Sequence, residues 1–262
     1  TCYLIEECGV NPYNIMAITF TNKAAAEMRE RIDDMVGFGS ESIWVSTFHS
    51  ACVRILRRHI DLLGYDTNFT IYDTDDQKTI MKDVCKKLQI DTKQTKERTI
   101  LSMISSAKNE LVDPTEFAMN SMGDFKLKRV ADAYIEYQQT LKKNNALDFD
   151  DIIVKTVELF QSCPEVLDNY QERFQYIMVD EFQDTNDRQR QLIYLLCGDD
   201  AEKLEGQKLF VVGDPKQSIY RFRGADVSVF ARVRREIEAS VGINLLLKTN
   251  YRTVDKILLA VN

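Results

Sequence analysis

The sequence is poor in nearly everything that marks a chain of special class. Among 262 residues there are four prolines and ten glycines, too few for a disordered or turn-dense all-β chain. No apolar run approaches the roughly 20 residues that a membrane span needs. The opening TCYLIEECGV holds two acids and no basic stretch, so it does not read as a secretory leader. Six cysteines, at 2, 8, 52, 85, 163 and 197, form no C-x-x-C pair, and there are only two histidines. That set argues against a structural zinc site, and it fits a reducing cytoplasm better than a disulfide framework. A surplus of positive charge is missing as well. The net charge of −7, taken alone, disfavours a nucleic-acid partner.

What is present is ordinary globular composition, 44% hydrophobic and 29% charged, long enough for one large domain or two small ones. The charge is uneven. Residues 46–58 hold Arg54, Arg57 and Arg58 and no acid, and residues 208–236 carry seven Lys/Arg against three Asp/Glu. A phosphate backbone would feel such patches. For the three arginines a solvated helix face explains the cluster equally simply, and is the better reading of charge clusters in general.

Five short apolar runs rich in β-branched residues read as buried strands: 15–20, 43–46, 176–179, 209–212 and 243–247. Helical patterns separate them, which predicts a parallel sheet covered by helices on both faces. The second and third runs lie about 130 residues apart, too far for a loop. The intervening stretch reads as helices over 74–88, 95–108 and 125–144, the first opening on a Thr74-x-x-Gln77 capping box. An inserted helical domain over 58–145 follows, with its charges balanced at fourteen of each sign. The chain starts inside a helical pattern at Thr1, and 251–262 reads as a helix that has not finished.

In a parallel sheet ligands collect at the carboxyl ends of the strands, so the residues just past each run carry the information. After the first come Thr19-Phe20-Thr21-Asn22 and a helix over 24–35. Helix-opening N–H groups there offer donors to an anion, and Phe20 is an aromatic on which a base could stack. Equally, Thr21 or Asn22 caps the helix and Phe20 is core. After the second, Thr47-Phe48-His49 repeats the pattern of hydroxyl, aromatic and polar donor. After the third, IMVDEFQDTN places Asp180 and Glu181 side by side, with Asp184 three positions on. In extended backbone the pair would point to opposite sides, one carboxylate suited to a divalent cation, the other to a water. The bland alternative is an acidic turn complementing the next helix's dipole. After the fourth, GDPKQSIYRFRGAD interleaves Lys216, Arg221 and Arg223 with Tyr220 and Phe222, a pattern suited to single-stranded nucleic acid. After the fifth, Tyr251 could stack on a flat ring and Arg252 could hold a phosphate bidentately.

Taken together and in order, these segments resemble the motifs of superfamily 1 DNA helicases of the UvrD/PcrA/Rep group. ITFTNKAAAEMRERI resembles motif Ia, and VSTFHSACVRILRR the next DNA-contact motif. LDFDDII resembles the segment that re-enters the core domain, and VDEFQDTN motif II, the Walker B box. VVGDPKQSIYRFRGAD resembles motif III, LLLKTNYRT motif IV, and RTILSMISSAKNEL a part of domain 1B. The resemblance covers essentially the whole chain. It implies a P-loop NTPase fold of the RecA-like kind, with domain 1A from residues 1–57 and 146–262 and domain 1B, all-helical, inserted as 58–145.

The resemblance also implies the activity: ATP hydrolysis, with Mg²⁺, coupled to 3′-to-5′ movement along single-stranded DNA and to opening of single-strand/double-strand junctions in repair, replication or recombination. Asp180 would coordinate Mg²⁺ and Glu181 would activate the attacking water. Gln217 would sense the γ-phosphate, Arg252 would contact it, and Tyr251 would stack near adenine. Phe20, Asn22, Thr47, Phe48 and His49 would line the DNA track, with Tyr220, Phe222 and Arg223 stacking on or holding bases.

Three departures qualify it. UvrD and its nearest kin carry Trp where Phe222 stands, and a further acid where Lys216 stands; the Asp-Pro-Lys-Gln form resembles the AddA/RecB helicase-nuclease branch. No G-x-x-x-x-G-K-[ST] phosphate loop occurs. The resemblance puts that loop before Thr1, and motifs V and VI, with the second RecA-like domain, after Asn262. The expectation is therefore a piece of a longer motor that lacks domains 2A and 2B, has little ATPase alone, and holds no metal firmly at Asp180. A different class of reading, a non-catalytic single-stranded DNA-binding module, also accommodates the basic loop.

Overall fold

The computed structural model describes residues 1–37, 39–93, 95–198, 208–218, 226–240 and 242–247, with the backbone alone for Val227. Four parallel strands form the central sheet: β1 (Ile15–Thr19), β2 (Trp44–Thr47), β5 (Tyr176–Val179) and β6 (Leu209–Val211), in the order β2-β1-β5-β6. β1 is buried along its whole length, as a central strand covered on both faces must be. Its neighbours are in register, Ala17 lying between Val45 and Met178. Two short strands missed by the run count, β3 (Thr70–Tyr72) and β4 (Ala146–Asp148), pair parallel to each other, so the insertion over 58–145 is not all-helical as expected. Each is three residues long, below the length at which alternation stands out.

The run at 243–247 does not form a strand. Its residues have no strand pairing, and Ile243, Leu245, Leu246 and Leu247 are exposed. Composition made it look like a core strand, but a strand exists only where a neighbour takes its hydrogen bonds, and among the described residues it has none.

The helices that cover the sheet begin where side chains satisfy their free N–H groups. After the short α1 (Cys2–Glu6), Thr21 accepts from the Ala24 N–H at the start of α2 (Asn22–Val36), and Thr47 from the Ser50 N–H at the start of α3 (Phe48–His59). Both strand exits are thus also helix caps. α4 (Thr74–Lys87) is opened by Asp73 and Asp76, not by Thr74 and Gln77; carboxylates occupy the box one residue earlier than the hydroxyl-based pattern suggested. α5 (Glu97–Asn109) and α7 (Phe125–Lys143) lie close to the expected helices, while α6 (Pro114–Asn120) sits between them. The chain returns through α8 (Phe149–Ser162) and α9 (Pro164–Arg173), and α10 (Asp187–Cys197) joins β5 to β6, with α11 (Val227–Ala239) beyond.

Buried apolar side chains gather in separate clusters. One packs β1, β2 and β5 against α3, α8 and α10 and extends to Ile60, Tyr65 and Phe69. A second, from Met81 to Ala146, is built by α4, α5 and α7. The arginines of α3 serve the first cluster: Arg54 lies 4.5 Å from the Trp44 ring centre and Arg57 3.9 Å from that of Phe69, with Arg57 also donating to the Thr67 carbonyl at 2.8 Å. These two guanidinium groups lie over aromatic faces on residues that remain exposed, so the solvated-face reading holds for them. No described helix is long and apolar enough to cross a membrane, and the six cysteines are all free.

Candidate nucleotide and nucleic-acid site

The carboxyl ends of the four sheet strands lie along one edge, in the order of the strands. Two adjacent exits are joined directly. The Thr19 hydroxyl, at the end of β1, donates to Glu181 Oε2 at 3.2 Å, across 162 residues of sequence. Asp180 continues the pairing of β5 through its N–H to the Ile18 carbonyl, 2.9 Å. The expected alternation of the two acids stops there, because Glu181 has φ +53°, in the left-handed region. Only a few per cent of residues other than glycine adopt it. The turn brings the Glu181 N–H onto Asp180 Oδ1 at 2.9 Å, so one oxygen of Asp180 is held and Oδ2 has no hydrogen-bond partner among the described residues. Both acids are half-buried. Hard, partly shielded carboxylate oxygens with spare lone pairs suit an oxygen-seeking divalent cation and a bound water.

The acid pair is tied to the exit of β6. A turn of 3₁₀ helix, Phe182–Asp184, is buried, and Gln183 Oε1 accepts from the Asp214 N–H at 3.1 Å. Gly213 makes this approach possible: a Cβ there would lie 2.6 Å from Gln183 Oε1 and 2.9 Å from the Phe230 ring. Asp184 accepts from the Ser218 hydroxyl at 3.1 Å. Gln217 is exposed and donates to Asp214 at 3.1 Å. The backbone N–H of Lys216 and the Gln217 side chain hold the Asp214 carboxyl below its ordinary range.

At the other end of the edge, Phe20 is half-buried and Asn22 exposed. Thr47 is buried as the cap of α3, its hydroxyl shared with Ser50 at 3.0 Å. Phe48 departs from expectation: at 2% exposure it belongs to the sheet core and presents no face to a base. It supports the exit from beneath, because the helix that starts at Phe48 turns that side chain inward. His49 is half-buried and stacks on Phe149 at 3.8 Å with ring planes 19° apart. Burial, and then the nearby Arg188 guanidinium, push its imidazole down to about 3, against a smaller upward pull from a hydrogen bond with the Phe149 backbone. His49 is therefore a neutral ring at physiological pH, not a cation for phosphate. Tyr220, Phe222, Arg223, Tyr251 and Arg252 lie outside the described residues.

Sequence reasoning missed Gln183, the residue that bridges two exits, and Phe149, an exposed aromatic beside His49. Gln183 lies inside the quoted acid string, but its burial depends on β6, some 30 residues later. Phe149 stands in LDFDDII, and the only available signal was an aromatic at a helix start.

The family model of the UvrD/REP helicase N-terminal domain matches residues 1–238. The ATP-dependent DNA helicase PcrA of Bacillus subtilis (strain 168) is 50% identical over 261 residues, 99% of this chain and 34% of the relative. PcrA of Staphylococcus aureus (strain Mu50) is 49% identical over 261 residues and PcrA of Staphylococcus epidermidis 48% over 260, again 99% of this chain and 34% of each relative. The chain thus spans about a third of the length of these relatives. With the family model matching residues 1–238 of the 262, the chain belongs to the UvrD/REP helicase N-terminal domain family.

Proposed function

We propose that the chain is the N-terminal, ATP-binding region of an ATP-dependent DNA helicase that moves 3′ to 5′ on single-stranded DNA and opens single-strand/double-strand junctions in the cytoplasm. In this reading residues 1–57 and 146–262 are the RecA-like domain 1A and 58–145 the inserted domain 1B; the separate cluster from Met81 to Ala146 supports an inserted unit, while Ile60, Tyr65 and Phe69 pack with the sheet cluster. Domains 2A and 2B belong to the longer protein. The observation that carries the proposal is the alignment of four parallel-strand exits on one edge, with Asp180 and Glu181 at the exit of β5 bonded to the exit of β1.

Glu181 is the group for the water that attacks phosphorus. Its left-handed backbone and the Thr19 hydroxyl fix the carboxylate, so little reorientation is needed at the moment of proton transfer. Asp180, with one oxygen held by the Glu181 N–H and the other open, would hold Mg²⁺. That ion when bound would supply charge neutralisation for the phosphates. Gln217, exposed and bonded to Asp214, would sense the terminal phosphate. The Gln183–Asp214 bond ties that loop to the acid string. Phe20 and Asn22 on one exit, and Thr47 and His49 on the next, are the described members of the proposed DNA track. Tyr220, Phe222 and Arg223 for bases, and Tyr251 and Arg252 for nucleotide, rest on the motif resemblance. The PcrA relatives at 48–50% identity favour this branch over an AddA/RecB-type helicase-nuclease, Lys216 notwithstanding.

The test is ATP turnover by the full-length protein with and without single-stranded DNA. DNA-stimulated turnover is expected, and Glu181→Gln should lower it about 100-fold or more with little effect on the KM for ATP. Turnover in Glu181→Gln equal to wild type removes the proposed water-activating role.

A further inference from the structure

Side chains from α5, α7 and the start of α8 meet at a buried ionic cluster that the proposed chemistry does not use. Lys108, the penultimate residue of α5, is 1% exposed. Its ammonium lies 2.7 Å from Asp148 Oδ2 and 2.8 Å from Asp151 Oδ1. Tyr137 donates to Asp148 Oδ2 at 3.0 Å, and Gln138 to Asp151 Oδ1 at 2.8 Å, both from α7. The remaining oxygens close the capping box of α8: Asp148 Oδ1 takes the Asp151 N–H at 2.8 Å, and Asp151 Oδ2 the Asp148 N–H at 3.2 Å. All four carboxylate oxygens are thereby bonded.

Such a cluster is a poor device for stability alone, since apolar residues of the same volume often do as well or better. What it supplies is one fixed geometry, and its sequence neighbours show what that geometry serves. Phe149, between the two aspartates, is the residue stacked on His49 at the exit of β2. Asp150, also between them, holds Arg188 of α10 at 2.9 Å. Asn109, next to Lys108, accepts at 3.1 Å from the side chain of Asn186, the N-cap of α10 immediately after the acid string. Three residues adjoining the cluster, Asn109, Phe149 and Asp150, therefore reach either the exit of β2 or α10, the helix that follows the acid pair.

We propose that Lys108 is a positioning residue that couples the nucleotide site to single-stranded DNA: its ammonium locks the inserted helical segment to the re-entry segment, and Asn109, Phe149 and Asp150 relay that register to α10 and to His49. The inference rests on the function proposed above. Coupling is a ratio of affinities, so it is measured as the change in single-stranded DNA affinity that a non-hydrolysable ATP analogue causes in the full-length protein. Lys108→Met should shrink that ratio about fivefold or more, with DNA affinity in the absence of nucleotide changed much less. Asn109→Ala removes only the neutral contact to Asn186. It should fold as wild type, keep basal turnover, and shrink the ratio about two- to threefold; it decides the matter alone if Lys108→Met fails to fold. A purely structural Lys108 lowers Tm and leaves the ratio untouched. Wild-type ratios in Asn109→Ala, and in Lys108→Met if it folds, overturn the proposal. A wild-type protein that binds no ATP analogue, or shows no nucleotide effect on DNA binding, overturns the functional reading first.

Discussion

Two pairs of acids, thirty residues apart, show opposite uses of the same side chains. Asp148 and Asp151 are almost fully buried and every oxygen is bonded. Asp180 and Glu181 are half-buried, hold one another through a backbone turn, and keep an open oxygen on Asp180. A buried carboxylate with a donor on each oxygen is committed to holding structure, whereas one at a strand end with an open oxygen has been kept available at some cost in backbone strain. Within the buried pair the two carboxyls shift in opposite directions. Burial raises the Asp148 carboxyl, but the Lys108 ammonium outweighs it and holds the group below the ordinary range. Burial and the Asp148 charge push Asp151 up.

From that contrast, the largest effect on stability belongs to the buried pair. Lys108→Met leaves two buried carboxylates without their cation and should cost about 3–5 kcal/mol, read by chemical denaturation of the chain. The triple change Lys108→Met, Asp148→Asn, Asp151→Asn removes all three charges and should recover most of that loss. A loss under about 1 kcal/mol for Lys108→Met alone would break the comparison at its firmest point.

The joint between the two regions is His49, stacked on the residue that separates the buried aspartates. Its folded pKa, about 3, lies below the ordinary 6.5. Stability is therefore level above pH 6.5 and falls as pH drops, because only the unfolded chain takes up the proton. The slope approaches about 1.4 kcal/mol per pH unit below 6.5. His49→Gln should remove most of it, so that the difference between wild type and variant grows by about 2 kcal/mol from pH 6.5 to 5. His59, also lowered by burial but nearer the surface, leaves a residual slope. Parallel stability curves for the two proteins would mean that the His49 ring is hydrated.

Much of this was legible beforehand. The four sheet strands, the acid pair and the inserted helices follow from apolar runs and from what stands after them, since a buried parallel strand must be apolar and its exit need not be. The fate of Phe48 was not legible: an aromatic just past a strand looks the same in sequence whether the next helix turns it in or out. Nor was the run at 243–247, whose composition is that of a strand but whose pairing depends on a neighbour. LDFDDII could be matched to a family segment, yet nothing local in it says that Asp148 and Asp151 face Lys108, 40 residues or more upstream. Long-range partners of charged residues leave no periodic trace.

The smallest expected effect tests the other half of the comparison. Glu181→Gly removes a side chain that the proposed chemistry requires, at φ +53°, where glycine is at ease. Relief of left-handed strain is worth about 1–2 kcal/mol. Against it stand the greater freedom of glycine in the unfolded chain, about 0.5–1 kcal/mol, and the lost bond from Thr19, about 1 kcal/mol. These nearly cancel, so unfolding free energy should stay within about 0.5 kcal/mol of wild type while DNA-stimulated turnover in the full-length protein disappears. A loss above about 2 kcal/mol would show that the strand-exit acids hold the fold as the buried pair does, and would leave the open oxygen of Asp180 without its functional explanation.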